Sequence, residues 1–360
     1  MTEPAVSSSA GRADLLPSRP EWRFWVTWLF PPLVVWQAWS APAWALWSTL
    51  LTWALVAGAD AWLPGARRSP PPCQPHPLHR WALRGYVPLQ IGLQVAVGWR
   101  VAQGGLDGLT VAGLVFAVGW LAGAIGITYA HELGHRRERV DRALAWLLMG
   151  SVGYSHFMVE HYRGHHPRAA TGADPASARR GESVYAFLPR TLLGGWRSAW
   201  RLHAARQRER GRPAWTGALP AWTAATALAL ALSGLALANA GAVLVFWAGQ
   251  AVVAVCLLEI VNYIEHYGLQ RRVTDGRPEP FGPAHAWNAD HAWSNALLAN
   301  LQRHSDHHQH AHRPYPTLRP AAAPAPQLPT GYAGCVLLAL VPPLWFARMH
   351  PRLDALGQTG

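Results

Sequence analysis

The stretch His131-Glu132-Leu133-Gly134-His135 follows directly after an apolar run, residues 109–130. Histidines four residues apart on a helix project from the same face about one turn apart, so they can bind the same ion. The apolar run is close to the ~20 residues that cross the hydrocarbon core of a bilayer. The stretch therefore predicts a transmembrane helix with a metal-binding pair at its end.

Two later stretches repeat this pattern. They are Glu160-His161-Tyr162-Arg163-Gly164-His165-His166 and Gln302-Arg303-His304-Ser305-Asp306-His307-His308. A fourth stretch, Asn262-Tyr263-Ile264-Glu265-His266-Tyr267-Gly268-Leu269, adds one histidine. Nine imidazoles exceed what one ion can bind, so the pattern indicates two ions. Imidazole suits Zn, Cu, Fe or Ni, and ligand type alone does not choose among them. Structural zinc, the alternative, often uses thiolate, but no cysteine adjoins these stretches.

Composition indicates a membrane protein. Of the 360 residues 51% are hydrophobic and 14% charged, against about 25% charged in ordinary soluble domains. We expect a single all-α integral-membrane domain over 22–350, between a disordered lead, 1–21, and a tail, 351–360. Six transmembrane helices are predicted, roughly at 24–40, 43–63, 85–101, 109–130, 216–237 and 241–262.

The distribution of arginine predicts the orientation. All 31 basic residues are arginine, and they concentrate in the loops at 65–84, 136–142 and 190–212. Cytoplasmic loops accumulate basic residues, so we expect a bacterial-type inner-membrane protein with its histidine-rich site on the cytoplasmic side. Nucleic-acid binding would need a soluble basic face and is disfavoured. The apolar stretches 143–159 and 331–346 are predicted to be helices buried at the cytoplasmic ends of the spans, the second one broken at Pro342-Pro343.

A carboxylate stands beside a histidine in each of the four stretches. Neighbours on a helix point in different directions, so these carboxylates suit the shell behind the ligands, where they would accept the other ring N–H. The alternative for any one of them is a solvated surface charge. The candidates for this outer shell are Glu132, Glu160, Glu265, Asp306, His285 and His291.

These stretches resemble those of the integral-membrane alkane 1-monooxygenases. The similarity extends to Asp174-Pro175-Ala176-Ser177-Ala178-Arg179, Gly181-Glu182-Ser183 and His285-Ala286-Trp287-Asn288, over roughly residues 20–350. The resemblance implies a six-span fold with two non-haem iron ions, no haem or flavin, and insertion of one oxygen atom of O₂ into the terminal methyl of a medium-chain n-alkane. The iron ligands it implies are His131, His135, His161, His165, His166, His266, His304, His307 and His308.

Electrons are expected from a separate protein. Cys73, Cys256 and Cys335 lie far apart and form no C-x-x-C pair, which argues against an iron–sulfur carrier within the chain. The resemblance implies a rubredoxin-type donor, with its reductase, at the basic cytoplasmic face. The hydrocarbon would come from the lipid of the bilayer, and we expect Thr52, Trp53 and Leu55 of the second span to line its channel.

Two other functions would also use paired histidines or buried metal sites. A histidine-box fatty-acyl desaturase or hydroxylase would carry similar pairs at helix ends, although the 262–269 and 301–308 stretches resemble the alkane family more closely. A metal transporter would place ionisable residues near the bilayer midplane, where these spans have almost none.

Overall fold

The computed structural model describes residue 17 and residues 21–63, 68–237, 239–321 and 325–358. Of the predicted disordered lead, all but residues 17 and 21 lie outside this range, as do the last two residues of the predicted tail. The described residues are mostly helical, with one small hairpin in which β1 (Val273–Thr274) pairs antiparallel with β2 (Arg277–Pro278). The helices are α1 Phe30–Ser40, α2 Ala45–Trp62, α3 Pro77–Ala102, α4 Gly108–Gly134, α5 Arg139–Ser151, α6 (Phe157–Glu160, His161–His165 and His166–Arg168 in succession), α7 Val184–Glu209, α8 Ala218–Ala236, α9 Ala240–His266, α10 Ala292–Leu297, α11 His304–Gln309, α12 Tyr332–Ala339 and α13 Pro342–Ala355. Shorter 3₁₀ segments are Trp22–Leu29, Pro42–Trp44, Pro283–His285 and Tyr315–Thr317.

Side-chain caps define the starts of three of the long helices. The Asp107 carboxylate accepts hydrogen bonds from the backbone N–H groups of Leu109 and Thr110, both at 3.0 Å, and so starts α4. Ser183 caps α7 and Asn239 caps α9 in the same way. Such caps satisfy backbone donors that have no partner within the helix.

Three of the described helices are long and apolar enough to cross a membrane: α4, α8 and α9. The bent pair α12 and α13, which meet at 118°, would add a fourth if it counts as one span. The predicted helix break at Pro342-Pro343 is confirmed, because α13 begins with these two prolines, which lack the N–H that a helix interior requires. Helix α3 begins eight residues before the predicted span at 85–101, at Pro77 directly after the capping residue His76.

Helices α4 and α9 pack against each other at the centre, with α2 and α3 beside them. Gly119 and Gly123, one turn apart on α4, allow this close approach. A Cβ on Gly123 would lie 2.8 Å from the Ala254 carbonyl oxygen, and one on Gly119 would lie 2.7 Å from the Gln250 carbonyl oxygen. Small residues at this spacing are typical of closely packed transmembrane helices. Since both helices lead into histidine stretches, their contact sets the spacing of the site.

Candidate metal centre

Helix α4 delivers the first histidine pair. His131 lies in its last turn and His135 immediately follows it, and both side chains are buried. A π-helical segment, Ala122–Gly126, interrupts α4 one turn before them. Segments of this kind often occur at functional sites. The Tyr162 hydroxyl donates a 3.1 Å hydrogen bond to the His131 carbonyl and ties α4 to α6.

The second histidine stretch forms a π-helical turn, His161–His165. The backbone N–H of His166 donates to the carbonyl of His161, five residues earlier. This wider turn places the rings of His161 and His166 on one side, with their Nε2 atoms 3.0 Å apart, while His165 points to a different group. The sequence spacing alone pairs His161 with His165, so the division of this stretch is a finding of the structure.

The third stretch is the short helix α11, and His266 is the last residue of α9. His304 and His308 lie one turn apart and face His266, and the Nε2 atoms of His304 and His266 are 3.2 Å apart. His307 projects from another face of α11, with its ring centroid 4.5 Å from that of His131.

The nine histidines form two groups in which the ligand atoms all lie within 4.8 Å of one another. We call them the five-histidine cluster and the four-histidine cluster. The two are adjacent, since the ring centroids of His166 and His308 lie 4.3 Å apart. The five-histidine cluster contains His131, His135, His161, His166 and His307, and the four-histidine cluster contains His165, His266, His304 and His308.

The geometry of both clusters fits metal ions. The Nε2 atoms of His135, His161 and His166 lie 3.0 to 3.3 Å from one another. Ligands about 2.1 Å from a common ion would be about 3.0 Å apart at right angles and about 3.4 Å apart in a tetrahedron. Several ring nitrogens are also buried without a hydrogen-bond partner among the described residues: Nε2 of His131, His165 and His307, and both ring nitrogens of His308. Buried polar atoms without partners are costly, and bound ions would satisfy them.

Six of the nine cluster imidazoles have the protonation state that a metal requires. These six lie outside the long apolar helices, and burial, followed by the charge of neighbouring imidazoles, lowers their pKa well below the usual value: His135, His161, His166, His304, His307 and His308. At neutral pH these rings are uncharged, and their lone pairs are available to a cation.

Asp174 holds the ring of His165 in place, a role not predicted from the sequence. Its carboxylate lies 2.9 Å from His165 Nδ1 and accepts a 2.7 Å hydrogen bond from Ser177. Burial opposes the charged form, but His165 and Ser177 outweigh it and the pKa of Asp174 is lowered. The only signal in the sequence was the Asp174–Arg179 stretch that carried the family resemblance, because nothing in its spacing links it to a histidine.

The predicted outer-shell carboxylates differ in their partners. Glu265 lies 3.3 Å from His304 Nδ1 and accepts a 2.9 Å hydrogen bond from the Tyr332 hydroxyl, as expected for a group behind a ligand. For the other three an outer-shell role stays a prediction, and the structure shows arginines as their ion-pair partners. Glu132 pairs with Arg136, Glu160 with Arg168 and Asp306 with Arg313, and within the described residues none of the three carboxylates forms a hydrogen bond or ion pair with a ring of either cluster.

Three further histidines lie near the clusters: His285, His291 and His312. The His285 carbonyl lies 3.3 Å from His266 Nδ1, whereas the His285 ring pairs with Glu279. The carbonyl of His291 accepts a hydrogen bond from Gln302. The His285 ring therefore has Glu279 as its partner instead of a cluster histidine, and an outer-shell role for His291 stays a prediction. His312, assigned no role from the sequence, makes a 2.9 Å contact through Nδ1 with the His135 carbonyl.

An apolar cavity leads to the clusters between α2, α4, α9 and α12. Trp53, Trp120 and Leu257 are among its lining residues, and at its end it reaches His131 and His161 of one cluster and His304 of the other. The prediction that Trp53 lines a channel agrees with this cavity. Thr52 and Leu55 are not among its lining residues, which include Val56 instead. Leu55 is 62% exposed on the outer face of α2, and the Thr52 hydroxyl bonds to the Ser48 carbonyl in its own helix.

Comparison with known proteins identifies the class of this fold and site. The family model for fatty acid desaturases matches residues 108–338, which include every histidine of both clusters. Alkane 1-monooxygenase 2 of Pseudomonas aeruginosa is 40% identical over 83% of this chain and 80% of its own length. Alkane 1-monooxygenase 1 of the same organism is 43% identical over 75% and 71%. The xylene/toluene monooxygenase hydroxylase component of Pseudomonas putida is 32% identical over 72% and 70%.

The chain therefore belongs to the fatty acid desaturase family and, within it, to the alkane 1-monooxygenases.

Proposed function

We propose that this protein is a membrane-bound monooxygenase that converts the terminal methyl of medium-chain n-alkanes to 1-alkanols. It would use O₂, two non-haem iron ions held by the nine clustered histidines, and electrons from a rubredoxin-type donor. The observation that carries the proposal is the apolar cavity that ends at His131, His161 and His304. A substrate in this cavity meets both clusters, and most of the residues along the way are apolar.

The chain's own residues would position the substrate and the ligands. A saturated hydrocarbon has no group that an acid, base or nucleophile could attack, and bound iron would supply the oxidising chemistry. Trp53, Trp120 and Leu257 would exclude water and hold the alkane with its end toward the histidines. Asp174 and Glu265 would keep the rings of His165 and His304 oriented.

The proposal places residues 22–350 in a bacterial inner membrane as six spans, with α1, α2 and α3 joining α4, α8 and α9. Exposed tryptophans at the helix ends support this placement, such as Trp44 and Trp62 at the two ends of α2, because tryptophan anchors helices at membrane interfaces. The predicted arginine-rich loop at 190–212 is largely helix α7, and α7 packs against α6, which carries three of the cluster histidines. Arginines beside the clusters support a cytoplasmic site. Cysteine accessibility to a membrane-impermeant reagent, with single cysteines placed at 104 and 210 in a cysteine-free background, tests it. Labelling of both positions from the same side would contradict it.

A separate electron donor would dock on the cytoplasmic arginines. The three cysteines are free and far apart in the sequence, so among the described residues no redox pair could carry electrons to the clusters. An acidic donor would be attracted to a basic face, and such attraction weakens with ionic strength. We expect donor-dependent turnover to fall steeply as salt is added at fixed donor concentration. Turnover that does not change with salt would argue against electrostatic docking.

Reconstitution tests the proposed reaction. The purified chain is loaded anaerobically with iron and then given O₂, a reductant, a rubredoxin with its reductase, and alkanes from hexane to hexadecane. We expect 1-alkanols by gas chromatography, and iron-loaded protein that yields no alcohol would refute the proposal. The match to the fatty acid desaturase family favours a second candidate, so a fatty-acyl substrate is run in parallel. A new double bond in the acyl chain would support desaturation instead.

A further inference from the structure

A second cavity, of about 310 Å³, opens where α5, α6, α7 and the start of α8 meet. Its floor is apolar and includes Trp146, Met158 and Leu219. Its rim is strongly basic and carries five arginines: Arg142, Arg163, Arg206, Arg210 and Arg212. The apolar cavity that reaches His131, His161 and His304, called the hydrocarbon cavity from here on, shares none of these residues.

The five rim arginines lack ion-pair partners within the described part of the chain, and their side chains make no hydrogen bonds there. Most other arginines around the clusters are paired, for example Arg84 with Asp141 and Arg190 with Glu182. Glu209 lines a neighbouring depression together with Arg163, Arg206 and Arg210 but forms no ion pair with any of them. The positive charge of the rim is therefore uncompensated, as expected for a surface that binds an anion.

Contacts beneath the rim hold the cavity wall in a defined shape. His203 Nε2 on α7 lies 3.1 Å from the Ala214 carbonyl and 3.0 Å from the Thr216 carbonyl, and Gln207 also bonds to Thr216. The next residue, Gly217, has φ +102, and a Cβ there would lie 2.6 Å from Gln207 Nε2. This turn brings the start of α8 to the cavity, where its backbone N–H groups and helix dipole add positive potential.

The surroundings indicate that the anion is part of a lipid. Helix α8 is long and apolar enough to span a membrane, yet only 6% of its most apolar segment is buried against protein. Trp215, just before α8, is 77% exposed, as is typical of a residue at the membrane interface. The cavity floor continues onto α8 through the stacked rings of Trp146 and Trp222, whose centroids lie 6.3 Å apart. Acyl chains could follow this apolar surface while the phosphate stays at the rim.

We propose that this cavity binds the headgroup phosphate of an anionic phospholipid, with the acyl chains lying along α8. The proposal rests on the membrane placement proposed above but not on the reaction. Binding is measured without turnover, so its failure and that of the proposed function are distinguishable.

The test compares two triple variants with the same loss of charge. Arg206→Gln, Arg210→Gln and Arg212→Gln change the rim, whereas Arg197→Gln, Arg201→Gln and Arg208→Gln change exposed arginines of α7 that do not line the cavity. The delipidated full-length protein is titrated with short-chain phosphatidylglycerol, short-chain phosphatidylcholine or inorganic phosphate, and bound molecules are counted by native mass spectrometry. Circular dichroism verifies that each variant is folded.

We expect the wild-type protein and the control triple to prefer phosphatidylglycerol over phosphatidylcholine. The rim triple should bind phosphatidylglycerol about a hundredfold more weakly, since each arginine near an anionic lipid surface contributes about a factor of five. Equal loss in both triples would overturn the proposal by showing a general charge effect. Inorganic phosphate that binds as tightly as the lipid would overturn it in favour of a free anion. Unchanged lipid binding with lost binding of an acidic donor protein would overturn it in favour of protein docking.

Discussion

His266 is a single histidine at the end of an apolar helix, so spacing alone gives it no partner. In the structure it completes the four-histidine cluster, with Nε2 3.2 Å from His304 Nε2 and Nδ1 3.3 Å from the His285 carbonyl. The carbonyl can accept the proton of Nδ1, which leaves the Nε2 lone pair toward the cluster. The backbone at 285 thus orients a ring whose role was predicted only through the family resemblance.

Asp174 gives the sharpest test of the four-histidine cluster. Asp174→Asn keeps the shape of the side chain but removes the charge that holds His165, so we expect weaker metal binding. Outer-shell changes of this kind typically cost about 10- to 100-fold in metal affinity. Iron per chain, measured by mass spectrometry after dialysis at controlled free iron, should fall.

Asp275→Asn is the matched control for that change, because Asp275 is exposed in the β1–β2 turn and Asn tolerates its φ of +52. It should retain iron like the wild-type protein. If Asp174→Asn also retains iron at wild-type levels, Asp174 has no role in holding the ligand.

Trp53 should limit the length of the substrate. It lines the hydrocarbon cavity and is 9% exposed, with its indole N–H bonded to the Ala333 carbonyl on α12. Trp53→Ser removes a large ring from the wall, so we expect the products to shift toward longer alcohols in competition assays with mixed alkanes. Leu55→Ser, on the outer face of the same helix, should leave the distribution unchanged. An unaltered chain-length range in Trp53→Ser would refute this assignment.

At the scale of elements, the π turn of α6 decides how the histidines are shared. An α-helix would put His161 and His165 on one face, whereas the i to i+5 bond between His161 and His166 groups these two. His165 is thereby free to join the four-histidine cluster. One stretch of seven residues therefore supplies both clusters and links them.

The contact between α4 and α9 depends on the absence of side chains at Gly119 and Gly123. A Cβ on Gly123 would meet the backbone of Ala254, which cannot rotate away. Gly123→Ala should therefore separate the helices and destabilise the protein by about 1–3 kcal/mol, the usual cost of overpacking. The thermal unfolding midpoint in detergent should fall, and iron retention with it.

Gly92→Ala is the matched control on α3, because a Cβ there would meet nothing within 4 Å. Alanine is favoured over glycine within a helix by about 0.5–1 kcal/mol, so this variant should be at least as stable as the wild-type protein. A midpoint for Gly123→Ala equal to that of Gly92→Ala would show that the close approach is not needed.

For the molecule as a whole, burying nine imidazoles together costs free energy that bound ions would offset. Without metal, the folded protein keeps the buried rings neutral and holds several ring nitrogens without partners. Bound metal ions would use these atoms and should raise the free energy of unfolding. The rest of the fold then acts as a rigid support for the two clusters.

The metal-free protein should lose stability in mild acid. Burial lowers the pKa of histidines such as His161 and His307, so below about pH 6.5 the unfolded chain binds more protons than the folded one. Their contribution to stability is complete above that pH and is lost as pH falls toward the lowered pKa. Thermal unfolding of chelator-treated protein between about pH 8 and about pH 5 measures this. A midpoint that does not fall in acid would contradict it.

The sequence determined the class of protein, the nine histidines and most helices, because these are local properties. Apolar runs predict helices, and paired histidines at helix ends indicate a metal. Proline marks the break before α13, and the 262–269 stretch identifies His266 through family resemblance. None of these inferences requires knowing what lies opposite a side chain.

Only the tertiary structure decided how the histidines divide, which acids support them and which face of α2 lines the cavity. The π turn depends on packing around α6, and Asp174 reaches His165 because the chain folds back on itself. Glu132, Glu160 and Asp306 each stand beside a histidine in the sequence, as Glu265 does. In the structure, however, they form ion pairs with arginines. Distances between residues remote in sequence are set by how helices pack, and a pattern of neighbours along one helix carries no information about them.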